Sequence, residues 1–252
     1  CTTTALHEGW HSFLAIAEDD DFTKTTASID IKFTNIAPHG TTIQLLDGSI
    51  AIESDNQHIW QVDEDQLVNI KGQSDDSIDD IDKLIHTWWP DDAQPSLMEI
   101  FEGRTSQFPM LWSDSGLHKI RLQVTDTDGA SSAVEERWVN VRNVAPIVEA
   151  LDQILPIAEG QEISITGSAT DTESDIATLS RCWDIDPGID SDGYGSAADD
   201  CDIRGDDLTY SWNRSGSHTI IYHVTDDDGA YSSEVLVIEV LNIPPKVRIS
   251  DV

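Results

Sequence analysis

The chain has 252 residues, with 48 acidic side chains against 14 basic ones, a formal net charge of −34 and a pI near 4.1. Such a surface repels nucleic acid and anionic lipid, which excludes binding to either by electrostatics, and no apolar run reaches the roughly 18 residues needed to span a bilayer. Asp outnumbers Glu 34 to 14, pointing to turns and oxygen-ligated metal sites, while eight Trp and 38% hydrophobic residues supply a core.

In chain order, residues 9–22 (GWHSFLAIAEDDDF) and 27–38 (ASIDIKFTNIAP) predict two strands of a hairpin. Period-2 runs follow at 42–54 (TIQLLDGSIAIES) and 66–72 (QLVNIKG), then an acidic loop holding Asp76 and Asp80. Trp88 is expected to be buried on a central strand, and 92–103 (DAQPSLMEIFEG) reads as a short turn. Strands at 118–124 (HKIRLQV) and 136–141 (ERWVNV) flank a turn with Asp126 and Asp128. The order then repeats. Residues 161–167 (QEISITG) precede a loop with Asp171, Glu173 and Asp175, and Trp183 stands where Trp88 did. Strands at 208–212 (LTYSW), 218–224 (HTIIYHV) and 234–240 (EVLVIEV) complete the series, with Asp226 and Asp228 in the last turn.

The self-similarity is detailed. Residues 116–129 (GLHKIRLQVTDTDG) match 216–229 (GSHTIIYHVTDDDG), and 9–22 is a third copy with Asp19 and Asp21 at the acidic turn. Residues 66–91 align without a gap to 161–186, pairing Gly72 with Gly167, Asp76 with Asp171, Asp80 with Asp175 and Trp88 with Trp183. Asn35, Asn143 and Asn242, each ahead of a proline, lie 108 and 99 residues apart, the length of a whole domain. The pattern predicts an all-β protein of tandem antiparallel β-sandwiches: 1–35 as the C-terminal part of one repeat, 36–143 and 144–242 as complete repeats, and 243–252 as the start of another. The part-repeats lead us to expect a piece of a longer array. Pro after each Asn favours an extended, semi-rigid link.

Motifs for catalysis are missing: there is no G-x-S-x-G, no H-E-x-x-H and no Gly-rich phosphate loop. His11, His118 and His218 recur at one repeat position, as packing residues do, and the chain reads as a non-enzyme. Calcium takes six to eight hard oxygen ligands, and clustered Asp supplies them. Two clusters recur in register, Asp76 and Asp80 with Asp126 and Asp128, and Asp171, Glu173 and Asp175 with Asp226 and Asp228. Their convergence near Asn143 would let calcium stiffen the link. The bland reading is that Asp caps these turns. A third cluster, confined to 184–202, offers Asp184, Asp186, Asp190, Asp192 and Asp199; its alternative is a solvated loop. It fails the EF-hand spacing, since the twelfth position from Asp190 is Cys201. Cys182 and Cys201 bracket this loop, and Thr87 replaces Cys182 in the first repeat, so a disulfide is expected. Closing a loop of about 20 residues contributes on the order of 3 kcal/mol in the chain-entropy model and suits an oxidising compartment. Cys1 reads either as half of a further pair or as a lipidated residue. Asn213-Arg214-Ser215 is a glycosylation acceptor.

The string 224–233 (VTDDDGAYSS), Trp183-Asp184 after the preceding acidic loop and Asn242-Ile243-Pro244-Pro245 at the boundary resemble the PKD (polycystic kidney disease) repeat, an Ig-like module. The resemblance covers both full repeats and the first hairpin, and looks most like acidic multi-repeat surface proteins of archaea and marine bacteria. Where the family has W-D-F-G-D-G, this chain has Trp183-Asp184-Ile185-Asp186-Pro187-Gly188 and Trp88-Trp89-Pro90-Asp91. The resemblance implies an extracellular, cell-surface, non-catalytic array with adhesive or spacing roles, partnered by neighbouring repeats or by copies of itself through strand donation, or by a glycan or surface ligand. The alternative is an accessory substrate-binding module of a secreted hydrolase, for which Trp60, Trp89 and Tyr231 would form the aromatic platform. A third reading makes the acidity salt adaptation alone.

Overall fold

The computed structural model describes residues 8–48, 50–53, 59–91, 99–149, 151–189 and 200–248. The chain divides into two compact units, one of Cys1–Val62, Gln66–Leu111 and Gly116–Val141, the other of Asp63–Asp65, Trp112–Ser115 and Arg142–Val252. Regular structure among the described residues is all strand, with no helix.

In the first unit, Gly9–Glu18 and Lys24–Phe33 pair as an antiparallel hairpin. A four-stranded sheet runs in the order Ile50–Ala51, His39–Asp47, Val68–Asp75, Thr105–Met110. A five-stranded sheet runs Ile59–Asp63, Glu135–Arg142, Gly116–Thr125, Ile85–Trp89, Glu99–Glu102. Alternation decides which side chains go inward: along Gly116–Thr125, His118, Ile120, Leu122 and Val124 are buried while Lys119, Arg121 and Gln123 are not. The sheets meet at Gly72, where a Cβ would come within 2.4 Å of the Trp88 ring and 2.8 Å of Leu122. Only glycine lets the two layers close over that indole. Trp88 is fully buried, and its indole N–H donates to Ser106 Oγ at 2.8 Å.

The second unit repeats the plan. Its five-stranded sheet runs Ile157–Ala158, Tyr231–Leu241, Gly216–Thr225, Ser180–Asp184, Ile203–Arg204, opposed by the pair Ile163–Thr166 and Asp207–Tyr210. Trp183, Ile220, Tyr222, Leu208 and Ile238 are fully buried in one core. Gly167 stands where Gly72 does, its absent Cβ 2.6 Å from the Tyr222 ring. Trp183 lies in the core as Trp88 does, with its indole N–H donating to the Asp206 carbonyl at 3.0 Å.

Three details depart from the sequence reading. Part of the 92–103 segment expected as a turn is strand, since Glu99–Glu102 pairs with Ile85–Trp89; residues 92–98 lie outside the described residues. The alternation Glu-Ile-Phe-Glu is short enough to be missed, but Phe101 stacks on Phe108 and anchors it. Ile157–Ala158 runs parallel to the end of Tyr231–Leu241, where antiparallel pairing was expected, covering the edge of that strand. Trp60 is buried, because the inward positions of Ile59–Asp63 fall on Trp60 and Val62; it offers no surface platform.

Candidate metal centre

Within the second unit, three segments present carboxylates that are each fixed at one oxygen by a backbone N–H. Asp171 Oδ1 accepts the Thr172 N–H at 2.8 Å, starting a turn that Thr178 closes by donating to the Asp175 carbonyl. Asp226 Oδ1 accepts the Ala230 N–H at 2.8 Å, and Gly229 takes φ +91° to complete that turn, a conformation L side chains avoid. Glu64 Oε1 accepts the Val144 N–H at 2.7 Å, while its own N–H donates to the Arg142 carbonyl. This places Asn143 beside it in the chain path.

The remaining oxygens lack donors. Glu64 Oε2, Asp171 Oδ2, Asp175 Oδ2, Asp226 Oδ2 and Asn143 Oδ1 are all buried and receive no N–H or hydroxyl donor. Glu64, Asp175 and Asp226 are almost wholly inaccessible. Burial pushes the Glu64 carboxyl up to about 7, opposed by the Val144 N–H and reinforced by the Asp175 side chain, through its charge and a hydrogen bond between the two carboxyls, and by the charge of Asp228. Asp171 is raised as well, by burial first and then by Asp175, Asp226 and Asp227. Buried carboxylates that repel one another and lack donors are expensive. A hard cation relieves both terms at once. Asp228 contributes differently, its Oδ2 accepting the Ser115 N–H at 3.1 Å, and Glu173 is exposed.

The equivalent cluster in the first unit is built otherwise. Ser77 Oγ donates to Asp80 Oδ2 at 2.8 Å and Thr127 Oγ1 to Asp80 Oδ1 at 2.7 Å. Asn35 Nδ2 donates to Asp126 Oδ2 at 2.8 Å. Asp76 Oδ1 accepts the Ser77 N–H, leaving Asp76 Oδ2 buried and unpartnered. A cavity of about 170 Å³ adjoins, lined by Glu8, Asn35, Asp79, Asp80 and Asp128 among others.

A third group lies at the end of Ser180–Asp184. Ligand atoms of Asp184, Asp186 and Asp202 all fall within 4.8 Å of one another. Cys182 and Cys201 are disulfide-bonded, Cα–Cα 5.6 Å. Asp190, Asp192 and Asp199 lie outside the described residues, as does Cys1. Asn213 is exposed ahead of Gly216–Thr225, where the acceptor sequence needs it.

Three residues of these sites escaped the sequence reading. Glu64 had a signal: extending the gapless alignment two residues upstream pairs it with Glu159, whose Oε2 accepts the Ile243 N–H at 3.2 Å just as Glu64 accepts Val144. Asn35 as a donor to Asp126 and Asp202 beside Cys201 had only their positions to mark them. The proposed aromatic platform does not assemble, for Trp60 is buried and Trp89 is half-buried under the Arg121 guanidinium, leaving Tyr231 exposed.

Residues 143–239 match the family model for a bacterial Ig domain. That agrees with the Ig-like character inferred from the repeats. Among solved structures, the chain is similar to the PKD domain of an M14-like peptidase from Thermoplasmatales archaeon SCGC AB-540-F20, at 13% identity and TM-score 0.32 over 43% of this chain and 98% of that one. It is similar to the titin domains z1z2 in complex with telethonin, at 11% identity and TM-score 0.43 over 84% of this chain and 100% of that one. Drosophila N-cadherin EC1-3 matches at 13% identity and TM-score 0.32 over 94% of this chain and 78% of that one. A search of curated proteins gave no match. Ig-like domains are typical of adhesive and structural extracellular proteins. Among the described residues no helix is long and apolar enough to cross a membrane.

Proposed function

We propose that this chain is a stretch of a non-enzymatic, extracellular structural or adhesive array of Ig-like modules, stiffened by calcium. One observation carries the reading: five buried side-chain oxygens, from Glu64, Asn143, Asp171, Asp175 and Asp226, receive no N–H or hydroxyl donor, while Glu64 acts electrostatically on Asp175, and Asp171 on Asp175 and Asp226. A cation bound there draws together the segment 63–65, the residue after Arg142 and two loops of the second unit. Chain segments that would otherwise carry mutual repulsion become cross-braced, which is what a load-bearing or spacing array requires. The acidic surface keeps such an array soluble and apart from other anionic surfaces.

A thermal melt with calcium titrated against chelator, at constant high ionic strength, tests this. Fixed salt separates specific binding from simple screening of the net charge. The midpoint is expected to rise with calcium and not with equal magnesium. A midpoint indifferent to calcium would sink the proposal, and the Asp turns would then be caps alone.

A further inference from the structure

We propose that Asp184, Asp186 and Asp202 form a separate calcium site whose assembly depends on the Cys182–Cys201 disulfide. Two oxygens facing each other across calcium, each 2.3–2.6 Å away, are separated by about 5 Å. The three side chains meet that limit with ligand atoms within 4.8 Å. Proximity alone is common among exposed acids, but Asp184 is not exposed. It is fully buried at the end of its strand, with Oδ2 inaccessible and unpartnered. Its Oδ1 is occupied by the Asp186 N–H at 3.0 Å, so the free oxygen is held in one orientation. Burial first, opposed by the Asp186 N–H, and then the negative charges of Asp202, Asp200 and Asp186 push its carboxyl up to about 6. Asp200, itself buried and two residues from Asp202, adds its charge to the neighbourhood.

The covalent frame explains how the group is held. Cys182 lies two residues before Asp184 on the strand, and Cys201 lies between Asp200 and Asp202. The disulfide therefore ties the two acidic segments together at their bases. Backbone bonds finish the alignment: the Asp202 N–H donates to the Trp183 carbonyl at 3.0 Å, and Asp202 Oδ2 accepts the Ile185 N–H at 2.8 Å. Calcium is preferred to magnesium because carboxylates on two loop segments give an adaptable shell, whereas magnesium demands near-ideal octahedral geometry. The first repeat lacks the cysteines and the buried acid, Thr87 standing at the Cys182 position and Trp89 at that of Asp184, while Asp91 matches Asp186.

The test uses the whole chain stripped of metal. Calorimetric titration with calcium chloride is expected to lose one equivalent, or to show about 10–100-fold weaker binding at one site, in Asp202→Asn and in the double variant Cys182→Ser/Cys201→Ser. Should the cysteine variant fail to fold, Asp202→Asn, with the disulfide intact, still decides the point. Asp184→Asn reports a change of sign. It is expected to melt above the wild type in chelator, where it removes a repelled buried charge, and below it in calcium. A loss of midpoint equal in calcium and in chelator would make Asp184 structural and overturn the proposal. So would an equal response to magnesium chloride. Asp175→Asn separates this site from the cluster containing Glu64. If that cluster binds nothing, Asp175→Asn leaves the calcium response unchanged while Asp184→Asn still alters it. If only the Glu64 cluster binds, Asp175→Asn and Asp175→Asn/Asp184→Asn respond to calcium alike, and the proposal fails.

Discussion

Asp80 in the first unit and Asp175 in the second stand at the same repeat position, yet Asp80 receives protons from Ser77 and Thr127 while Asp175 keeps a buried oxygen without a donor. The cause is two neighbouring substitutions between the repeats. Thr172 replaces Ser77 and shares its hydroxyl hydrogen bond with Ser174 instead. Asp227 replaces Thr127, removing a donor and adding a negative charge that bears on Asp171. The same split recurs at Asp126, which has Asn35 as donor to Oδ2, and at Asp226, whose Oδ2 has none. Identical acids thus serve as hydrogen-bonded turn caps in one place and keep buried oxygens without donors in the other. The difference lies in the donors around them, not in the acids.

The largest expected effect breaks that comparison directly. Asp175→Asn is expected to weaken calcium binding about 10–100-fold, read by calorimetric titration, while stabilising the metal-free protein. Asp80→Ala is expected to cost about 1–3 kcal/mol, read by chemical denaturation, because it strands the Ser77 and Thr127 hydroxyls. That cost should be equal in calcium and in chelator. Calcium dependence of the same size at both positions would show that hydroxyl donors do not quench the first cluster.

A smaller effect is expected from exchanging the donors. Asp227→Thr supplies the second unit with the hydroxyl that Thr127 gives the first, and deletes one repelling charge. The gap in melting midpoint between calcium and chelator should narrow, by a shift worth about 1 kcal/mol. Thr127→Asp should open a gap of similar size at the Asp76–Asp80 cluster. An unchanged gap in both variants would remove position 127/227 from the explanation.

Strand positions are legible because burial follows a two-residue period, so the pattern alone places Trp88 and Trp183 in the core, where both are fully buried. The acidic loops were legible because they recur in register. Which acids are left without donors was not, since the donors come from far along the chain. Thr127 reaches Asp80 across 47 residues, and Val144 reaches Glu64 across 80. No local pattern carries that information; only the fold brings the pairs together. Glu64 and Asp202 were overlooked for the same reason, each being one acid among many until a buried backbone N–H picked it out.

The smallest expected effect concerns pH and sharpens the contrast away from any metal. His86 is fully buried in Ile85–Trp89, with Nδ1 3.1 Å from Ser106 Oγ, and desolvation holds its pKa below the ordinary 6.5. At the matching position the second unit has Arg181, half-buried and paired with Asp206 at 3.1 Å, which keeps its charge at every relevant pH. Above pH 6.5 the imidazole is neutral in folded and unfolded chains alike, and stability does not depend on it. As pH falls below 6.5 the unfolded chain takes up a proton that the folded one refuses, so stability is lost until the lowered folded pKa is reached. Melts in chelator from pH 7.5 down to about 5 should therefore show an acid-induced loss that shrinks in His86→Gln, while an Arg181→Gln variant leaves that loss intact. Were His86→Gln to keep the full loss, the buried imidazole would not be its source, and neither would the carboxyls of raised proton affinity, because they take up protons in the folded chain and favour it as pH falls.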